Sequence, residues 1–149
     1  MFAGTASADI IIDEALLKKI DLELKQSEDF SIFDKYIFPG TKILLDLYPD
    51  DDRGLTEMSY EKFREFSKLG FELMENFEQQ TLSFTITIDT ENNQGVTEEK
   101  SISVADMLGY RTEDEAITKI TYGVLDGKVK ILVFEETTIS STTEEIDEN

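Results

Sequence analysis

The sequence predicts an α+β domain, a mostly antiparallel sheet with two main helices packed on one face. Three observations carry this. A four-residue apolar rhythm runs near the start, a longer helical rhythm runs through the middle, and strict alternation follows in "TLSFTITID". Helical and two-residue periods in one chain, with strands succeeding one another late, describe helices laid against an antiparallel sheet.

The first helix is expected from about Ser7 to Gln26, where Ile12, Leu16, Ile20 and Leu24 recur every fourth residue and Leu17 widens the stripe. "SEDFSIF" interrupts it. "KYIF" and "TKILLDLY" read as short extended runs joined by the Pro39-Gly40 turn. An acidic turn, "YPDDDRG", then leads to a long helix from about Thr56 to Gln80, capped by Thr56 and striped by Phe63, Phe66, Leu69, Leu73 and Phe77. Leu82, Phe84, Ile86 and Ile88 alternate with polar neighbours as a half-buried strand. "TENNQGVTEE" reads as a loop, "KSISVADML" as a further strand, and "RTEDEA" as a short connection. Asp126-Gly127 suits a two-residue type I′ hairpin turn that pairs Val124 with Val129, Tyr122 with Ile131 and Ile120 with Val133. Residues 1–134 are expected to form one domain, and 135–149, with six acids and no base, an acidic tail.

Length and a 40% apolar content suit a single core. The chain has neither cysteine nor histidine. Thiolate chemistry, disulfides and histidine-based nucleophile activation are therefore excluded. The start has no base before Lys18 and only a three-isoleucine run, unlike a signal peptide, and no apolar stretch is long enough for a membrane span. A cytoplasmic protein is expected.

The thirty-three acids against fourteen bases give a net charge of −19, which repels nucleic acid and anionic lipid and attracts basic surfaces. Adaptation to high salt fits poorly with eleven lysines and an excess of Glu over Asp.

A calcium loop needs oxygen ligands at positions 1, 3 and 5, glycine at 6 and Glu at 12. Frames starting at Asp46 or Asp50 each fail, the first with Tyr48 at position 3, the second with Leu55 at position 6. Pro49-Asp50 with Glu98-Glu99-Lys100 superficially follows a metal-dependent nuclease pattern, but "TEEK" reads as a polar loop end and the charge opposes such a substrate. Ser59-Tyr60-Glu61-Lys62 matches the SxxK tetrad of serine acyl-enzymes without its supporting elements, and Ser59 reads more simply as a helix-start residue. Among so many acids a glycosidase-like pair always exists, so no pair is informative.

These exclusions lead to an expectation of no enzyme, no catalytic residue, no metal and no cofactor. The function expected is that of a non-catalytic acidic binding protein, an inhibitor or nucleic-acid mimic of anti-restriction, anti-defence or immunity type. It would meet a basic protein surface, such as that of a nucleic-acid-handling enzyme, as a monomer or dimer, with no direct nucleic-acid or membrane contact. The expected contact face comprises Asp50, Asp51, Asp52, Glu57, Glu61, Glu65 and Glu72, with Glu57, Glu61 and Glu65 forming a helical column. The alternatives are an assembly subunit of a larger complex such as a virion, and a weak calcium-binding module.

Overall fold

A computed structural model describes residues 10–26, 29–50 and 52–146. The elements run α1 (Glu14–Gln26), α2 (Phe30–Asp34), β1 (Lys42–Asp46), β2 (Thr56–Met58), α3 (Tyr60–Leu73), β3 (Glu75–Asp89), β4 (Gln94–Met107), β5 (Tyr110–Leu125) and β6 (Lys128–Glu145). One six-stranded sheet has the order β2-β1-β6-β5-β4-β3, and only β1 and β6 run parallel. The α+β class and the placement of helices on one face agree with the sequence.

Cross-strand partners share a face, so the register sorts the concave side into transverse rows. Ile88, Gly95, Tyr122 and Ile131 form one row; Ile86, Thr97, Ile120, Phe134 and Ile43 form the next. The three helices cover this apolar end. Ile12, Leu17 and Ile20 from the α1 region, Phe30 from α2 and Phe63 from α3 are buried against it. Phe33, Phe63 and Phe134 meet mutually with ring centroids 5.3–5.8 Å apart, tying α2 and α3 to β6. Asn93, at the β3–β4 turn, anchors the approach to α1: its Oδ1 accepts from the Ile12 N–H and its Nδ2 donates to the Ile10 carbonyl, each at 2.8 Å.

Several expectations are corrected. The helix begins at Glu14, and residues 7–9 lie outside those described. "KYIF" is not a strand, because the chain closes the one-turn α2 there, with Lys35 and Tyr36 N–H groups bonded back to Ser31 and Phe33. The long helix spans only Tyr60–Leu73. Thr56 is not its cap but a β2 residue whose hydroxyl donates to the Leu45 carbonyl. Ser59 supplies the cap, accepting from the Lys62 N–H at 3.2 Å, so its sequence reading as a helix-start residue is the one observed. Beyond Leu73, Asn76 takes a positive φ of 52° and the chain turns into β3, which carries Phe77 onto a strand. Phe66 is 55% exposed rather than core.

The presumed loop at 90–99 contracts to a turn, and residues 94–99 begin β4. "RTEDEA" lies inside β5, and Glu135–Glu145, expected as tail, forms the outer part of β6, paired along its length with β5. A long partner strand satisfies those backbone groups despite their acidic side chains. In the last hairpin, Asp126 and Gly127 have φ of 51° and 73°, as a type I′ turn requires, and the first two expected pairs form. The third does not: Ile120 pairs with Phe134, and Val133 faces the other way. A bulge at Leu132 shifts the register by one, and Gly123 makes room for it, since a Cβ there would lie 2.6 Å from Leu132 Cδ1. A second bulge displaces Leu82 from the Phe84/Ile86/Ile88 face.

Candidate functional site

Past its apolar rows the concave floor changes character. Phe84, Glu99, Thr118, Glu136 and Leu45 form the third row, and Thr81, Ser101, Ala116 and Thr138 the fourth. The third row therefore sets two carboxyl groups on β4 and β6 either side of a threonine. Small side chains follow in the fourth row.

Glu99 is 6% exposed. α1 places Asp21 and Lys25, one turn apart, over it. Lys25 Nζ lies 2.6 Å from Glu99 Oε1 and 2.9 Å from Asp21 Oδ2, donates to Thr81 Oγ1 at 3.1 Å and sits 5.2 Å above the Phe84 ring centroid. Glu99 Oε2 accepts from Gln79 Nε2 at 3.2 Å and Thr81 Oγ1 at 3.4 Å. The Lys25 contact at Oε1 is short but not aligned as a hydrogen bond, and no other donor meets that oxygen among the described residues.

Burial pushes the Glu99 carboxyl up from the usual carboxylate range, the Asp21 charge adds to this, and Lys25 opposes it. Burial works against the Lys25 charge, yet its contacts with Glu99 and Asp21 prevail and raise the ammonium above its ordinary value. Glu136 is also pushed up, first by burial and then by the Asp114 charge. Below them Tyr122 is fully buried and its hydroxyl has no aligned hydrogen-bond partner among the described residues. Burial and the Asp21 charge raise that phenol, against a smaller opposing influence of Thr97.

The expected acidic face does not assemble as a column. Asp50 and Asp52 are exposed in the turn before β2, and Asp51 lies outside the described residues. Glu57 belongs to β2, so only Glu61, Glu65 and Glu72 share the exposed side of α3. The sequence reading places Glu98-Glu99-Lys100 at a polar loop end, whereas these residues lie on β4 and Glu99 is buried. The signal was the alternation of Gly95, Thr97, Glu99 and Ser101, a period-two pattern with its polar members facing inward.

The arrangement, a six-stranded sheet with helices on one face, is similar to the fold of NTF2-like proteins. Similar solved structures include an NTF2-like protein from Cytophaga hutchinsonii (TM-score 0.63, 10% identity, covering 86% of this chain and 100% of that one). A protein from Novosphingobium aromaticivorans assigned as a scytalone dehydratase matches at TM-score 0.63 and 9% identity, over 88% and 87% of the two chains. A hexachlorocyclohexane dehydrochlorinase from Novosphingobium barchaimii matches at 0.61 and 8%, over 87% and 88%. No family model and no curated protein sequence matches the chain.

These likenesses overturn two expectations. The inhibitor, nucleic-acid-mimic, anti-defence and viral readings find no support among the neighbours, and neither does the exclusion of catalysis, because the same fold carries enzymes. The absence of histidine does not by itself exclude proton transfer, because a buried carboxylate beside a lysine can serve it. Among the described residues, no helix is long and apolar enough to cross a membrane.

Proposed function

We propose that the polar part of the concave floor binds a small organic molecule and that Glu99 and Lys25 move a proton on it. The observation that carries this is the buried Glu99 carboxyl, raised by its surroundings and held 2.6 Å from the Lys25 ammonium. A general base works best when its pKa approaches the working pH, and burial moves a carboxyl in that direction. The reaction class best suited to the pair is an elimination. Glu99 takes the proton from a C–H bond, that bonding pair becomes the second bond of a carbon–carbon double bond, and the group on the adjacent carbon leaves with its own pair. Lys25 stabilises the negative charge on the departing group, while Asp21 keeps Lys25 protonated and aimed. Two neighbours, by their names a dehydratase and a dehydrochlorinase, remove water or hydrogen chloride, which supports this class.

The test is incubation of the protein in heavy water with cyclic alcohols, hydroxyketones and chlorinated cyclohexanes, followed by NMR for deuterium uptake and loss of water or chloride. Activity should disappear in Glu99→Gln and fall sharply in Lys25→Met, with the far-ultraviolet circular dichroism of both unchanged. Turnover that survives Glu99→Gln rules the assignment out.

A further inference from the structure

We infer that a second site, at the closed end of the fold, takes an organic carboxylate with a short apolar body. A hollow of about 300 Å³ lies between α1, the segment following α2 and the β5–β6 turn. Among the described residues, four lysines line it, Lys19, Lys35, Lys128 and Lys130, and one acid, Glu23. In a chain where acids outnumber bases 33 to 14, this is a local inversion of charge.

Glu23 is already engaged by Lys35 Nζ at 3.4 Å and by the Tyr36 hydroxyl, which donates to it at 3.0 Å. Lys130 Nζ donates to the Lys35 carbonyl at 2.7 Å, drawing that ammonium in beside the Lys35 backbone. Lys19 and Lys128 form no ion pair with any described residue. An exposed lysine in so acidic a protein has many possible partners. Lys19 and Lys128, without an acid partner among the described residues, and Lys130, which lies within the field of Asp34, together focus positive potential on the concavity.

The hollow is also apolar underneath. Leu16, Ile20 and Val129 contribute to its lining, and Ile20 belongs to the buried core. Inorganic anions would leave this surface wet, whereas an aliphatic or aromatic carboxylate would cover it while its head meets the lysines. The site stands apart from the third row of the floor and does not depend on the reading of Glu99.

Octanoate is the probe, with acetate and octan-1-ol as comparisons that lack the tail or the charge. Titration of the full chain by calorimetry and by amide NMR should show saturable octanoate binding, with shifts at Lys19, Gly127 and Val129. Losing two charged contacts in Lys19→Gln/Lys128→Gln should weaken it by about tenfold or more. Acetate and octan-1-ol should bind more weakly by a similar factor, and raised salt should weaken octanoate. Lys62→Gln/Lys68→Gln on α3 and Glu99→Gln should leave octanoate affinity unchanged. Octanoate binding no tighter than acetate, unchanged affinity in the Lys19/Lys128 variant, or loss in Glu99→Gln would each overturn the inference.

Discussion

Replacing Lys25 by methionine isolates the electrostatics of the concave floor, since methionine keeps the length and apolar stem of the side chain without its charge. Glu99 and Asp21 lose an ion-pair partner together, and Thr81 loses a donor. Removing one member of a fully buried ion pair costs about 3–5 kcal/mol, because the other charge is left without compensation. Here Glu99 is buried but the Lys25 side chain is 28% exposed, so solvent reaches one side of the pair. A cost of about 1–3 kcal/mol at neutral pH follows.

The pH dependence sharpens the test. The folded pKa of Glu99 is already raised, so the folded state holds that proton more tightly than the unfolded chain. Without Lys25 the folded pKa rises further, and the penalty must shrink as pH falls through it toward the unfolded value. Urea denaturation at pH 8, 7 and 5 reads this directly, and the double variant Lys25→Met/Glu99→Gln should recover most of the loss at pH 8. A cost equal at all three pH values, with no recovery in the double variant, would mean that the two side chains are not energetically paired. The proposed chemistry would then lose its foundation.

Gly95→Ala should destabilise by about 1–3 kcal/mol, the range for overpacking, because its Cβ would lie 2.5 Å from Leu17 Cδ1 in the core; a thermal melt showing no loss would mean that α1 does not rest on β4 there. Asn93→Gly keeps the positive φ of 50° while deleting both bonds to the α1 approach, so chemical denaturation should show a loss of about 1–3 kcal/mol. Glu136→Gln removes a carboxyl that the fold disfavours in its charged form, so it should stabilise at pH 7 and make no difference below the ordinary value of 4.5. Arg111 and Asn76 hold Asp106 below its ordinary 3.8, so the stability from that contact is present at neutral pH and lost as pH falls through the depressed value. Arg111→Ala should accordingly lower the denaturation midpoint at pH 7 and have little effect in strong acid.

Local pattern determined a good part of this protein. The stripe of Leu17 and Ile20 on α1 with Ile12 just before it, the Ser59 start of α3, the β3 alternation from Phe84 to Ile88 and the Asp126-Gly127 turn each depend on neighbours a few residues away. Periodicity, capping and turn preference act over that range, so they are written in sequence. What lay beyond it depended on partners distant in the chain. Residues 75–80 and 135–145 become strand because long neighbours pair with their backbones, a gain that overrides helical rhythm in one case and acidic composition in the other.

Register is set by the same distant contacts. Bulges at Leu82 and Leu132, the latter admitted by Gly123, decide which side chains face inward, and no local pattern announces them. The floor chemistry is the extreme case. Asp21 and Lys25 come from a helix, Glu99 from β4 and Glu136 from β6, four acids and bases among forty-seven in the sequence. Only the packing of α1 across the sheet buries Glu99 beside a lysine, and burial separates that carboxyl from the solvated ones.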